Sequence, residues 1–205
     1  MSIVKLNNRG VRSATAFGSI SSLGEMRFIK KQTISSSATV DFVNGSSDVV
    51  LDNTYKEYFF TLNNIHPSSQ GDILKVNFSD DTSSHSYDLS KTTTNFRARL
   101  DEDNSDAGIA VASNLGNSTS DAEIVVNINA NSDSCCSGYL HLFNPSDTTF
   151  VKHFISRMNS DGESDRCFSS HTAGYINTTA AVTAVRFTFG GSNIDAGDIC
   201  LYGIA

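Results

Sequence analysis

Histidines, cysteines and carboxylates are the groups of this chain able to do chemistry, and their spacing constrains that chemistry tightly. The five histidines, His66, His85, His141, His153 and His171, form no H-x-H or H-E-x-x-H pattern that would make two of them ligands of one metal. Each reads as a satisfied surface or half-buried side chain. Cys135 and Cys136 are adjacent, Cys167 and Cys200 stand alone, and no pair has C-x-x-C spacing, so a zinc site has no support. Glycosidic cleavage needs two carboxylates about 5 to 9 Å apart. Asp80, Asp81, Glu102, Asp103, Glu163 and Asp165 are candidates, but all sit in hydrophilic turns where solvation explains them. No G-x-S-x-G elbow singles out a serine. Asp101-Glu-Asp-Asn-Ser-Asp106 begins like a calcium loop, with Asp101 and Asp103 as the oxygen donors. Asp106 then stands where an EF-hand needs glycine, and Ala112 where it needs glutamate. An EF-hand is excluded; a looser calcium site on Asp101 and Asp103 is the one metal reading kept. No other cofactor is expected, and the chain reads as a non-enzyme.

The elements that position these residues are short strands. From Met26 onward, period-2 segments recur between turn signals. The pattern predicts strands over 26–34, 38–43, 55–64, 72–79, 93–100, 108–113, 122–129, 137–143, 149–157, 166–175, 182–190 and 198–204. Tyr58, Phe60 and Leu62 share a face, as do Leu74, Val76 and Phe78, Ile124, Val126 and Ile128, and Val185, Phe187 and Phe189. Phe150, Phe154 and Met158 have helical spacing, but the β-rich surroundings favour a strand. Lys152 and His153 suit a strand with one partly wet face. Pro67 and Pro145 each fall just after a strand, where a missing N–H costs little. Asn193, Asp195 and Gly197 form a turn. After it, Ile199, Leu201 and Gly203 face one way and Cys200, Tyr202 and Ile204 the other, so the last strand is expected to be covered on both sides. About a dozen strands without internal repeat predict an all-β, antiparallel two-sheet sandwich of jelly-roll type. Residues 1–25 read as an extended N-terminal arm and 26–205 as the domain.

Composition narrows the partners. With 205 residues, 39% of them hydrophobic, the chain can build a substantial core. Net charge is −7, yet residues 1–31 carry Lys5, Arg9, Arg12, Arg27, Lys30 and Lys31 against Glu25 alone. The first 31 residues are therefore +5 and the remainder −12. An acidic body disfavours nucleic acid and anionic membranes. No stretch approaches the 18 or so apolar residues of a membrane span. The opening Met-Ser-Ile-Val-Lys lacks a signal-peptide core. Free thiols made in a reducing cytoplasm are the expected state of the cysteines.

Several segments carry a resemblance. Tyr55-Lys-Glu-Tyr58 runs toward Asn64-Ile-His-Pro67. His141-Leu-Phe-Asn-Pro145 is followed by Thr149-Phe-Val-Lys-His-Phe154, then Ala173-Gly-Tyr-Ile-Asn-Thr-Thr179. The chain closes on Asn193-Ile-Asp-Ala-Gly197 and Leu201-Tyr-Gly-Ile204. Over about residues 49–79 and 137–205 this resembles small virion structural proteins of tailed phages of marine bacteria and cyanobacteria. The resemblance implies an exposed β-domain on a phage particle, assembled in the host cytoplasm among other virion proteins. The first expectation is a tail fibre or tip component that adheres to a host-surface glycan or protein; the alternative is a capsid decoration, cement or head-fibre protein. Lys5, Arg9 and Arg12 of the arm would dock it. Polar loops at 80–92, 101–121 and 159–165 would face the host, through Asp81, His85, Tyr87, Asp103, Asn104, Asn117, Asp161 and Glu163. Exposed strand edges point to a homotrimer.

Overall fold

A computed structural model of the chain describes residues 25–204. Lys5, Arg9 and Arg12, and with them the docking arm, lie outside the described residues. The described part holds thirteen strands and no helix. They are β1 (Met26–Ser37), β2 (Thr39–Val43), β3 (Glu57–Pro67), β4 (Asp72–Ser79), β5 (Lys91–Asp101), β6 (Ala107–Val111) and β7 (Leu115–Ser118). Next come β8 (Ala122–Ile128), β9 (Cys136–Phe143), β10 (Lys152–Gly162), β11 (Arg166–Ile176), β12 (Ala184–Thr188) and β13 (Ile194–Ile204).

Every pairing is antiparallel. One run of hydrogen bonding goes β1-β13-β3-β9-β10, and another goes β8-β4-β12-β2. They meet at a single residue pair, Gly162 with Ile128. β10 also pairs with β11, β11 with β5, and β5 with β6 and β7. At the opposite limit β1 passes into β2 through Ala38 alone, a corner helped by the left-handed Ser36 (φ 49°). The outcome is a nearly closed, barrel-like antiparallel sheet. The two runs, joined at that one bridge, form a continuous path and do not by themselves separate into the two sheets of the expected sandwich.

Alternation along the strands fills the interior. Phe42 of β2, Phe60 of β3 and Phe187 of β12 meet edge to face, with centroids 5.2, 5.6 and 6.4 Å apart. Phe78 of β4 meets Phe154 of β10 at 5.1 Å. Each such ring, fully buried, contributes about 1.5–3 kcal/mol of burial. The closing strand β13 lies between β1 and β3, with Met26 opposite Ile204. Ile199 and Leu201 face the core, and the Tyr55 ring packed on Gly203 leaves no room there for a Cβ. On its other face Cys200 is buried, but Tyr202 and Ile204 are only half-buried, Tyr202 against Phe28 at 5.7 Å. Cover on both sides is thus complete on one face and partial on the other.

Three local expectations change. Pro67 is the last residue of β3, not the residue after it. β10 runs on through Asn159, Ser160 and Asp161, which pair with Ser169, Phe168 and Cys167. Lys152 is buried, because Phe150 O (3.0 Å) and Thr178 O (3.2 Å) accept from its Nζ. The wet face of β10 is the one with His153 and Ile155.

Candidate functional site

The eight residues expected to face a host do not form one surface. β5 and β11 run in register from Lys91 opposite Ile176 to Asp101 opposite Arg166. At about 3.3 Å per residue those limits are roughly 30 Å apart. Asp81, His85, Tyr87 and Asn117 gather at the first end, while Asp103, Asn104, Asp161 and Glu163 gather at the second. The loop expected over 101–121 contains β6 and β7, so Asn117 belongs to a strand. Its side-chain oxygen accepts from Ser90 Oγ (2.9 Å) and Asn177 Nδ2 (3.0 Å).

At the first end the connection after β4 folds onto Asp81. Ser79 Oγ (2.9 Å), Ser86 N (2.8 Å) and Ser86 Oγ (2.7 Å) all donate to Asp81 Oδ2. The Ser86 amide, then the Ser86 and Ser79 hydroxyls, hold the Asp81 carboxyl below the usual carboxylate range. His85 Nδ1 lies 3.3 Å from Ser79 Oγ. A serine, a histidine and an aspartate are therefore together, but in the wrong order for nucleophilic catalysis. The carboxylate takes the serine hydroxyl instead of orienting the histidine, and Ser79 is fully buried. The cluster anchors a loop. Tyr87 is not host-facing: it is buried with Arg186 lying 3.7 Å over its ring, and burial, then the nearby Asp41, push its hydroxyl up to about 12.

Two buried lysines tie this end together. Lys91 Nζ donates to Leu89 O (2.9 Å), Ser120 O (2.8 Å) and Thr119 O (3.4 Å), and burial pulls its ammonium down to about 8. Lys152 joins the 144–151 and 177–183 connections in the same way. Five of the segments that carry the resemblance reach this end, whereas Asn64–Pro67 and Asn193–Gly197 lie at the other, where Pro67 pairs with Ile194. Asn144 N donates to Lys56 O (2.6 Å), Val182 N to Pro145 O (2.8 Å), and Tyr55 packs on Tyr58 and Gly203.

At the second end the carboxylates are committed separately. Asp101 is gripped by Arg166 (2.7 and 3.4 Å), and Asp106 by Arg99 (2.6 and 3.1 Å). Asp103 accepts from Ser105 within its own turn, which holds its carboxyl low, and Asn104 takes the left-handed corner (φ 59°). Asp161 is a strand residue whose Oδ2 accepts from Ser134 Oγ at 2.6 Å. Glu163 is exposed beside Gly71. Among the described residues no three His, Cys, Asp or Glu side chains are placed to hold a metal ion; Asp101, Asp103 and Asp165 line one open cleft, with Asp101 held by Arg166. The four cysteines are free thiols.

The feature missed in the sequence is the outer face of β5, β11, β10, β9 and β3. Register places Phe96, His171, Arg157, Tyr139 and Thr61 in one row across it, and Thr94, Ala173, Ile155, His141 and Phe59 in the next. Residues directly opposite share a face. Phe96 stacks on His171 (4.7 Å, 3°) and Phe59 on Tyr139 (5.0 Å). His141 lies 4.1 Å from Phe143, its Nε2 2.9 Å from Glu57 Oε2 but off hydrogen-bonding line. Between these rows and the first end runs a shallow, largely apolar groove of about 510 Å³, lined by Thr92, Thr94, His153, Ile155, Ala173 and Tyr175. The sequence held a signal for it: along β10 and β11 the residues out of phase with the core are His, Ile, Ala and Tyr.

No family model matches the chain, and no curated protein matches it. One solved structure similar to parts of it is the crystal structure of exo-inulinase from Aspergillus awamori, at 13% identity and a TM-score of 0.25. The match covers 87% of this chain, which spans 29% of that one.

Proposed function

We propose that this chain is a non-enzymatic structural protein of a phage virion, an exposed binding module on the tail that meets the host surface. The resemblance over 49–79 and 137–205 motivates the virion assignment, and the pairing of its segments on neighbouring strands supports reading them as one folded unit. We also propose a jelly roll as the underlying topology. The orders β1-β13-β3-β9 and β2-β12-β4-β8 support it, since each interleaves the early and late strands as two nested Greek keys do. In this reading β5–β7 and β10–β11 are insertions that widen one side.

The observation that carries the binding role is the groove on the outer face. A sheet face meant only for water carries Thr, Ser and charge; this one presents His153, Tyr175 and Ile155 around an apolar floor. The contact with the host thus moves from the loops to the strands. Such a groove suits the apolar face of a sugar ring, with His153 and Tyr175 supplying the polar contacts. Purified protein should adsorb to host cells and compete with phage infection, and Tyr175→Ala should weaken adsorption at least 10-fold without lowering the melting temperature. Absence of adsorption to any host, with no competition, overturns the role. A count of hundreds of copies per particle would assign the chain to the capsid instead.

A further inference from the structure

β6 is an edge strand without the usual protection. Its residues, Ala107-Gly-Ile-Ala-Val111, include no charge and no proline, the two common devices that blunt an edge. It pairs with β5 on one side and, among the described residues, with no strand on the other. The ladder to β5 begins with Asp101 N donating to Asp106 O and ends with Ala112 N donating to Asn95 O. Bonded and non-bonded pairs alternate along an antiparallel ladder. Gly108 and Ala110 therefore turn their backbone groups toward β5, while Ala107, Ile109 and Val111 turn theirs toward the open edge.

The side chains of those same three residues share the outer face with Leu100, Ala98 and Phe96. Ile109 is 80% exposed, Val111 72%, Phe96 50% and Leu100 44%. Together they present an apolar patch on the order of 400 Å², in the size range of surface patches that are often functional. Unpaired backbone and uncovered apolar side chains thus coincide on one strand.

We infer that this edge receives a second copy of the chain, β6 against β6 antiparallel about a two-fold axis. Ile109 then stands opposite the partner's Ile109, and Ala107 opposite the partner's Val111. Self-pairing is favoured over a head-to-tail ring because the strands that end the main path are charged, β1 with Arg27, Lys30 and Lys31 and β2 with Asp41. A contact of this kind closes at two copies, whereas a three-fold ring needs two different surfaces. The patch supplies about half of the roughly 800 Å² per partner of a standard interface, so the dimer forms with rising concentration and is not obligate.

Sedimentation equilibrium of the full chain tests this. The expected mass moves from one chain to two as concentration rises. Ile109→Lys and, separately, Ala107→Lys should each raise the dissociation constant at least 10-fold with an unchanged melting temperature, since neither side chain reaches the core. In a Cys167→Ser background, Ile109→Cys should give a covalent dimer on mild oxidation. A single-chain or three-chain mass at all concentrations, or a dimer indifferent to both lysine substitutions, overturns the inference.

Discussion

Lys91 shows how a single buried charge can organise one end of this fold. Its ammonium gathers carbonyls from two connections, so Lys91→Ala leaves three acceptors without a donor. A loss of about 3 kcal/mol or more is expected in urea unfolding. The pH dependence has a definite sign. Burial lowers the folded-state value from 10.5 to about 8, so between pH 8 and 10.5 the unfolded chain binds more protons. Lys91 therefore adds stability as pH rises through that window, and subtracting a Lys91→Met titration from that of the wild type isolates its slope. At the other end Asp101 and Asp103 serve Arg166 and a turn. Excess Ca²⁺ in place of EDTA is expected to leave the melting temperature unmoved.

Among the elements, β7 is the clearest case of a strand that alternation does not reveal. Leu115-Gly-Asn-Ser118 has one apolar residue, and its amides are held by hydroxyls: Leu115 N donates to Thr93 Oγ1 (3.1 Å) and Asn117 N to Thr92 Oγ1 (3.0 Å). Thr93→Val should release it, costing about 1 kcal/mol and raising amide exchange at 115–118. In four other strands the apolar period sufficed. β3, β4, β8 and β12 are legible because a core face with Phe, Leu, Val and Ile leaves only one register that buries it. The end of β10 was not, because Ser156 and Ser160 occupy core-facing positions and satisfy themselves on Tyr139 O and Val126 O. The outer-face groove was illegible for a related reason. Which half of each alternation lies outside is a tertiary fact, and so is the alignment of His153 beside Tyr175.

In the whole molecule, the closing strand is wedged between the first and third strands, and Gly203 admits the Tyr55 ring beneath it. Gly203→Ala is expected to cost about 2–3 kcal/mol by displacing that ring, read as a fall in the urea midpoint. The same strand has a mechanical consequence. Met26 and Ile204 lie side by side, so a force applied between the two ends of the described chain peels β1 from β13 one residue pair at a time. A force applied between Met26 and the far end of the barrel must instead shear that whole ladder at once. The described body is therefore weak when tugged by Met26 and Ile204 and strong when pulled lengthwise.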